Sequence, residues 1–420
     1  MNSPHHPESP APTPAQAATQ APAPQPRFAR RERFFRPSPV RSVWDVSMEP
    51  GMISLAGGNP DLTELPLEEL GQTAARLVTE QGLEVLQYGA GSGILSLREQ
   101  LAALMRAQGI DASQEDVVIT AGSQFGIELV TAMFCDPGDV MLAEAPTYVG
   151  AVSTFMGLEV AVEHVACDEH GLIPEELERR ITELRAAGRK VKALYTIPNF
   201  NNPSGITLSA ERRPLIAQIC REAGVTVIED DPYGLVRFEG EHIPPIRSFD
   251  DSVIYLGSMS KIFSPGIRIG WVYAPRAIRE RLLLLSESTL IHPSLISQHL
   301  ALSYLRDFDW RAILDKTIAL YRERANALLE ALPAALPQGT TWTRPSGGFF
   351  VWATLPEGYD ADALFELAVE EGVVFIPGSG FFADGSGSRD LRLSFSLESP
   401  DRIREGLERL GRATARLTAR

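Results

Sequence analysis

The sequence predicts an α/β fold with a large, mostly parallel sheet domain and a smaller α/β domain at its C-terminal end. Three observations indicate this fold. Short apolar segments rich in β-branched residues alternate with helical patterns through the middle of the chain. A long helical region comes next, followed by a second, shorter alternation of strands and helices. The chain has 420 residues, which is long enough for two such units.

The predicted strands of the larger unit are apolar throughout, as expected when helices cover both faces of a sheet. They are residues 117–120, 140–144, 191–198, 225–230, 253–258 and 269–274. Helices are predicted at 94–108, 174–188 and 208–223, and the long helical region covers 275–332. In the smaller unit, strands 347–352, 373–376 and 391–396 alternate with helices 361–371 and 398–418.

The N-terminal part differs in composition from the rest. Residues 1–26 contain eight prolines and are expected to form a disordered tail. Residues 27–41 contain six arginines, which we interpret as a basic arm packed on an acidic body; an RNA-binding or membrane-surface arm is the alternative. The predicted organisation is a tail (1–26), the arm with a small-domain segment (27–64), a large domain (65–315) and a small C-terminal domain (316–420).

Composition and charge exclude several classes of protein. Hydrophobic residues make up 44% and charged residues 22%, which is typical of a globular protein. No apolar run is long enough for a membrane span. The formal charge of −15 argues against a nucleic-acid binder, which needs clustered basic residues. The three cysteines stand far apart and form no metal or disulfide pattern, so we expect no metal site and a cytoplasmic location.

Small, polar and aromatic residues follow five of the predicted strands. The segments are AGSQFG after 117–120, APTY after 140–144, NFNNPSG after 191–198, EDDPY at the end of 225–230, and SMSK after 253–258. Ligands of open parallel sheets bind beyond the carboxyl ends of the strands. Turns use the same residue types, but five such segments in one sheet indicate a binding site.

One lysine stands out among only four, which are Lys190, Lys192, Lys261 and Lys316. Lys261 alone follows a strand that is predicted to be buried. Desolvation lowers the pKa of an amine, so Lys261 would be suited to act as a nucleophile. The alternative is an ordinary surface lysine after a strand.

Several ordered motifs together resemble the fold-type I pyridoxal-phosphate-dependent aminotransferases. They are SMSKIFSPGIRIGW, NNPSG, EDDPY, SLAGGNPD, LQYGAGSG, TAGSQFGIEL, TRPSGGFFVW and LRLSFS. The resemblance runs from about Pro39 to the C-terminus and is closest to the subgroup that contains 2-aminoadipate and kynurenine aminotransferases. It implies a fold-type I architecture and pyridoxal 5′-phosphate as the cofactor.

The resemblance implies three catalytic residues, Lys261, Asp230 and Tyr148. Lys261 would bond to the cofactor and move a proton at the substrate's α-carbon. Asp230 would face the pyridine nitrogen and keep it protonated. The Asp-x-x-Tyr spacing to Tyr233 selects Asp230 rather than Asp231. Tyr148 would lie on the face of the cofactor ring.

The remaining cofactor-binding residues also follow from the resemblance. Asn202 and Tyr233 would hydrogen-bond the ring's 3′ oxygen. The phosphate would lie at the start of a helix, where free backbone N–H groups bind anions. Its predicted ligands are Gly122, Ser123, Gln124, Ser258, Ser260 and Arg268. Tyr88 would reach the phosphate of a neighbouring subunit, which implies a homodimer with shared active sites.

The predicted substrate-binding residues are Arg41, Gly58, Tyr88, Asn202 and Arg392. Arg392 lies mid-strand among apolar residues, and its fork can bind a substrate carboxylate. A structural ion pair is the alternative for Arg392. In relatives the position of Arg41 helps to read the substrate's distal group, while a surface charge is the alternative.

The predicted function is transfer of an amino group between an amino acid and 2-oxoglutarate by a ping-pong mechanism. We expect 2-aminoadipate as donor, with leucine and aromatic amino acids also used, and a role in lysine biosynthesis. A kynurenine or general aromatic and branched-chain aminotransferase is the alternative. Less favoured are a lyase on the same fold and a DNA-binding regulator, which needs a helix-turn-helix ahead of the core.

Overall fold

The computed structural model describes residues 27–35 and 39–417. The helices are α1 Pro39–Ser47, α2 Leu67–Val85, α3 Leu95–Ala107, α4 Ser123–Phe134, α5 Val149–Gly157, α6 Pro174–Ala186, α7 Arg212–Glu222, α8 Arg276–Leu290, α9 Leu295–Asp307, α10 Trp310–Ala335, α11 Ala361–Glu370 and α12 Pro400–Arg416. The strands are β1 Ile53–Ser54, β2 Val117–Thr120, β3 Val140–Glu144, β4 Ala161–Val165, β5 Cys167–Asp168, β6 Gly171–Leu172, β7 Val191–Thr196, β8 Thr226–Asp230, β9 Ile254–Ser258, β10 Gly270–Tyr273, β11 Thr341–Trp342, β12 Phe350–Thr354, β13 Val373–Val374, β14 Ile376–Pro377 and β15 Asp390–Ser394. Short 3-10 helices are Arg30–Phe34, Gln114–Asp116, Ile246–Ser248, Pro265–Ile267 and Gly378–Phe381.

A seven-stranded sheet forms the centre of the larger unit, in the order β2-β10-β9-β8-β7-β3-β4. Strands β4, β3, β7, β8 and β9 pair in parallel, and β10 runs antiparallel to both of its neighbours. Helices cover both faces. Tyr255 and Leu256, which are adjacent in β9, therefore belong to two different apolar clusters. The predicted fold class, α/β with a large and mostly parallel sheet, is confirmed.

The smaller unit is built on a four-stranded antiparallel sheet in the order β11-β12-β15-β14. Helices α10, α11 and α12 pack beside it. Strand β1, from the N-terminal part of the chain, pairs in parallel with β13 of this unit. The predicted boundary between residues 315 and 316 falls inside α10, so the domain limits stay a prediction.

Three of the differences between the structure and the sequence prediction concern the long helical region, residues 373–376 and β4. The long helical region is three helices, because Ser294 caps α9 and Asp309 caps α10. The predicted strand 373–376 is divided between β13 and β14. Strand β4 was missed, since it lies at a sheet edge and its partly exposed sequence AVEHV lacks an apolar run.

The basic arm contacts the large unit within the described residues. Arg30 forms an ion pair with Glu159, with 2.6 Å between Nη2 and Oε2. The ring of Phe35 lies against Gly157 at the end of α5. The predicted tail, residues 1–26, lies outside the described residues. Among residues 27–35 and 39–417, no helix is both long and apolar enough to cross a membrane.

A buried ion pair joins the N-terminal segment to α10. Arg324 Nη2 lies 2.6 Å from Asp61 Oδ2, and Arg324 Nη1 donates to the carbonyl of Ser396 at 2.8 Å. Both side chains are buried. Burial opposes ionisation of Asp61, but hydrogen bonds from Thr63 and Arg324 outweigh it and hold its pKa below the usual value. The pair fastens the segment after β1 to α10 and to the chain after β15.

We expect Arg324→Leu to destabilise the protein by about 3–5 kcal/mol, because it leaves a buried carboxylate without its partner. Urea-induced unfolding followed by circular dichroism measures the change. The loss should shrink below about pH 4, because a depressed carboxyl pKa contributes stability that disappears as pH falls through it. The control is Arg276→Leu, which breaks an exposed pair with Glu280 and should cost less than about 1 kcal/mol. Equal effects of the two variants would contradict this account.

Candidate active site

A cavity of about 350 Å³ lies at the carboxyl ends of the central strands, between the two units. Strands β8 and β9 end at it in Asp230 and Ser258, and β15 of the small unit contributes Arg392. All the predicted site residues line this cavity except Gly122, Tyr88 and Arg41. Residues that are far apart in the sequence are thus brought together as the strand topology requires.

The Lys261 amine is enclosed in this cavity and donates a hydrogen bond to the carbonyl of Gly58 at 2.8 Å. Burial lowers its pKa to about 8, and the nearby positive charges of Arg392 and Arg268 lower it in the same direction. The side chain as a whole is partly accessible, so a ligand in the cavity can reach the amine. A larger neutral fraction of the amine makes it a better nucleophile and base near neutral pH.

Only one of the two carboxylate oxygens of Asp230 has a hydrogen-bond partner among the described residues. Its Oδ2 accepts a hydrogen bond from the Tyr195 hydroxyl at 2.7 Å, whereas its Oδ1 is buried without a partner among the described residues. Burial raises the pKa of Asp230 to about 7, against the lowering effect of Tyr195. A cationic N–H group beside Oδ1 would satisfy this oxygen and favour the ionised carboxylate.

The neighbouring Asp231 is held away from the cavity. Its Oδ1 accepts from Asn199 Nδ2 at 2.9 Å, and its Oδ2 accepts from the Tyr255 hydroxyl at 3.1 Å. Both carboxylate oxygens therefore have protein partners, and Asp231 does not line the cavity. The geometry favours Asp230 as the carboxylate available to a ligand, as the Asp-x-x-Tyr spacing predicts.

An anion-binding cradle lies at the N-terminus of α4. Gly122 precedes the helix with a φ of +86°, and a Cβ there would stand 2.3 Å from Arg268 Nη2. Arg268 donates from Nη2 to the carbonyl of Ala121 at 3.0 Å, which keeps its guanidinium beside the helix start. The predicted phosphate ligands Ser258 and Ser260 line the same cavity. Free N–H groups, hydroxyls and one guanidinium suit a phosphate.

Gln124 and Tyr148 connect α4 and α5 at the cavity. Gln124 Nε2 donates to the carbonyl of Gly150 at 3.0 Å and to Thr154 Oγ1 at 2.7 Å. Tyr148 precedes α5, and its ring packs directly against Gly150. Burial raises the pKa of the Tyr148 hydroxyl, and the Asp230 charge adds to this shift. The Gln124 side chain thus holds the first turn of α5, directly after Tyr148.

Arg392 is a buried guanidinium that no described carboxylate neutralises. Nη1 donates to Asn202 Oδ1 at 2.7 Å, Nη2 donates to the carbonyl of Ala56 at 2.6 Å, and Nε has no partner among the described residues. The rings of Phe350 and Phe381 lie 4.2 and 5.0 Å from its Cζ. Burial lowers its pKa to about 10. A carboxylate in the cavity would complete its hydrogen bonding and its charge.

Three predicted site residues lie outside the cavity lining. Gly122 stands directly behind it and supports the start of α4. Tyr88 is exposed on the surface, with its ring edge-on to His292 at 5.6 Å. Arg41 is on α1, which packs against the small unit through Val43, and its side chain is exposed. Neither Tyr88 nor Arg41 reaches the cavity of its own chain.

Three residues that shape the site are not among the predicted ones: Tyr195, Phe350 and Phe381. Tyr195 could have been found, because it is two residues before the cavity-lining Ile197 and so shares its face of the extended chain. Phe350 lies inside a recognised motif but was not singled out. Phe381 comes from a short 3-10 helix, and no sequence pattern indicates its contact with Arg392.

The sequence matches the family described as aminotransferase class I and II over residues 50–410. The chain belongs to this family. The aromatic-amino-acid aminotransferase 1 of Thermococcus litoralis is 36% identical, over 91% of this chain and 93% of that protein. The solved structure of Pyrococcus horikoshii kynurenine aminotransferase superposes with a TM-score of 0.88 at 35% identity, covering 93% and 97% of the two chains. That of Thermus thermophilus α-aminoadipate aminotransferase with N-(5′-phosphopyridoxyl)-L-leucine has a TM-score of 0.84 at 34% identity, covering 92% and 97%.

The protein is therefore a pyridoxal-phosphate-dependent aminotransferase, and the resemblance inferred from its motifs is confirmed. Its own residues fit the cofactor. The unpartnered Oδ1 of Asp230 suits a protonated ring nitrogen. The Arg268 guanidinium, which packs so closely on Gly122 that a Cβ there would stand 2.3 Å from Nη2, suits the phosphate group at the start of α4. The Lys261 amine lines the same cavity and is chemically suited to bond with the aldehyde.

We expect Asp230→Asn in this aminotransferase to retain the cofactor and lose at least about 100-fold in kcat, or about 2.7 kcal/mol. A neutral amide cannot stabilise a positive charge on the ring nitrogen. Steady-state kinetics and the visible absorption of the bound cofactor measure the two effects. Asp231→Asn is the matched control and should keep most of its activity. If Asp231→Asn were the crippled variant, the assignment of Asp230 would be wrong by one residue.

Proposed function

We propose that this aminotransferase has a broad donor range, transferring the amino group of 2-aminoadipate, leucine and aromatic amino acids to 2-oxoglutarate by a ping-pong mechanism. The observation that carries the proposal is the buried and incompletely paired guanidinium of Arg392 at the cavity. It can bind the α-carboxylate of any amino or oxo acid, so one site can serve both half-reactions. The names of the relatives, which include aromatic, kynurenine and aminoadipate aminotransferases, support a range of this kind.

The predicted catalytic residues each have a defined part in this proposal. When bound, pyridoxal 5′-phosphate supplies an electron-withdrawing ring that carries the amino group between the two substrates. The Lys261 amine takes the proton from the substrate's α-carbon, and its lowered pKa keeps it available as a base. Asp230 stabilises the positive charge of the ring. Tyr148 covers one face of the ring.

The remaining assignments concern orientation. Asn202 and Tyr233 would bind the ring's 3′ oxygen, and Asn202 also orients Arg392. Gly58 lines the cavity and would approach the substrate with its backbone; a Cβ there would come within 2.9 Å of the Phe350 ring. The cofactor phosphate takes the helix start and hydroxyls described above.

The cavity lining of a single chain does not account for recognition of the substrate's distal group. Among the described residues that line the cavity, the cations are Lys261, Arg268 and Arg392. All three are assigned to the cofactor or to the α-carboxylate. A second carboxylate therefore needs a cation from outside the lining, and Arg41 on α1 is the proposed one. Apolar side chains would instead contact the neighbouring Ile197 and Phe350.

Lysine biosynthesis through 2-aminoadipate is the role most consistent with this donor range. Kynurenine or general aromatic and branched-chain transamination is the second candidate, which the apolar lining and the names of two similar proteins favour. A cytoplasmic location belongs to the same proposal, because the three cysteines stay unpaired.

A homodimer with shared active sites is also proposed. Large apolar side chains around Tyr88 are exposed in the single chain: Leu83 is 99% exposed, Leu86 65% and Ile291 57%. Exposed apolar patches of this kind mark protein interfaces. Covering them with a second subunit would place Tyr88 at the boundary between the two chains, where it can reach the partner's phosphate.

We expect Arg41→Ala to raise the KM for 2-aminoadipate about tenfold or more, and the KM for leucine less than about twofold. Only the first donor has a distal carboxylate for Arg41 to bind. The measurement is a panel of amino donors against 2-oxoglutarate, with the purified parent enzyme and the variant. Arg31→Ala, on the same basic arm, is the control and should leave both values unchanged. No turnover of 2-aminoadipate by the parent enzyme, or equal effects on both donors, would contradict the proposal.

We expect mixed dimers of two inactive variants to regain activity. Lys261→Ala lacks the catalytic amine, and Tyr88→Ala lacks the proposed contact with the partner's phosphate. A hybrid dimer contains one intact site, so random mixing should restore roughly a quarter of the parent activity. Activity is measured after joint refolding of the two tagged variants. A Tyr88→Ala enzyme that is fully active alone, or an active monomer by sedimentation equilibrium, would refute the shared site.

A further inference from the structure

We infer that Glu144 is a positioning residue of this active site: its carboxylate holds the loop that carries Asn202, and through Asn202 it aligns the guanidinium of Arg392. The inference rests on the proposed roles of Asn202 and Arg392. Glu144 is the last residue of β3 and does not line the active-site cavity.

The Glu144 carboxylate accepts three hydrogen bonds from the end of β7 and the loop after it. Thr196 Oγ1 donates to Oε1 at 3.0 Å. The backbone N–H of Ile197 and the Nδ2 of Asn201 donate to Oε2 at 2.8 and 2.7 Å. Only an acidic or amide side chain of this length can accept such a convergent set of donors. The carboxylate thus fixes both ends of the chain segment that runs from Ile197 to Asn201.

This segment leads directly to the substrate-binding guanidinium. Asn201 is further held by Ser204, whose N–H and hydroxyl donate to Asn201 Oδ1 at 3.2 and 3.1 Å. The next residue, Asn202, accepts from Arg392 Nη1 at 2.7 Å. Asn201, which Glu144 holds, and Asn202, which orients Arg392, are therefore adjacent in the chain.

A second path of contacts runs from Glu144 to Arg392 through the backbone. His164 donates from Nδ1 to the Glu144 carbonyl at 2.8 Å, and its Nε2 accepts from the N–H of Ala383 at 2.9 Å. The N–H of Thr147, three residues after Glu144, donates to the carbonyl of Phe381 at 3.1 Å. Phe381 lies against the Arg392 guanidinium. Glu144 thus stands where the large sheet, the Asn202 loop and the small unit meet.

Glu229 provides a matched comparison within the same sheet. It lies in β8, which β7 separates from β3, is fully buried, and accepts from the N–H groups of Ile246 and Arg247 at 2.7 and 2.8 Å. Burial raises the pKa of both glutamates to about 7. The donors to Glu229 belong to a 3-10 helix that does not line the cavity. Removal of either carboxylate should weaken the fold, but only Glu144 holds the substrate-binding groups.

The test compares Glu144→Ala, Glu144→Gln and Glu229→Ala as holoenzymes. For Glu144→Ala we expect the KM for the amino donor and for 2-oxoglutarate to rise about tenfold or more, with a smaller change in kcat. The pH midpoint of the cofactor's visible band should also shift, because Asn202 is proposed to bind the cofactor's 3′ oxygen as well as to orient Arg392. Glu144→Gln should recover most of both losses, since its amide can accept from Ile197 or Asn201 and donate to Thr196. Glu229→Ala should lower the melting temperature and leave the KM values and the band unchanged.

Asn201→Asp keeps the test decisive if Glu144→Ala does not fold. This change replaces the donor to Glu144 by a second carboxylate of the same shape, which repels Glu144 and should raise both KM values and shift the band. Normal KM values and a normal band in Asn201→Asp or Glu144→Ala would overturn the inference and leave Glu144 a purely structural residue. Arg392→Ala separates the two proposals. If it leaves both KM values unchanged, the carboxylate role of Arg392 fails, and the band shift still decides whether Glu144 holds Asn202.

Discussion

Burial of incompletely paired charges at one cavity is the constraint on which the site depends. Burial raises the pKa of Asp230 to about 7, and it lowers that of Lys261 to about 8 and that of Arg392 to about 10. Each shift favours the uncharged form, so each group is less stable as an ion than it would be in water. A ligand with a ring cation and a carboxylate relieves Asp230 and Arg392 together. Because burial destabilises these ions, the cavity favours a ligand whose cation lies beside Asp230 and whose carboxylate lies beside Arg392.

The two sheets place these groups, and they do so from opposite sides. Strands β8 and β9 end beside each other, which brings Asp230 near the segment of Lys261, while β15 of the small unit carries Arg392. The cavity exists only when the two units are held together. Two contacts hold the N-terminal segment, which contributes Gly58 to the cavity lining, against the small unit: the pairing of β1 with β13 and the ion pair of Asp61 with Arg324. Fold stability and site geometry are coupled through this junction.

Much of the fold and of the cavity was predictable, because apolar strand patterns and the residues after each strand depend on local sequence. Lys261 was found in this way, whereas Asp230 was selected through the resemblance to the aminotransferase motifs and Arg392 through its place inside an apolar strand. Contacts between distant elements were not predictable. The Tyr195 hydroxyl on Asp230, the Phe381 ring on Arg392 and the Glu144 hold on Asn201 each join residues that no periodic pattern relates. Strand β4 was missed because its partly exposed sequence AVEHV lacks the apolar run by which the predicted strands were recognised.

The partners of Arg392 explain why it remains available to a substrate. They are the amide oxygen of Asn202 and the carbonyl of Ala56, both neutral dipoles. Dipoles of this kind fix the direction of the guanidinium without cancelling its charge, whereas a carboxylate partner would have to be displaced before a substrate carboxylate could bind. These neutral acceptors bind a cation less strongly than a carboxylate does, so their own positions must be fixed by the surrounding protein. Glu144 provides this support. Its carboxylate binds Asn201, the residue next to Asn202, and so orders the Asn202 loop without lying within reach of the substrate.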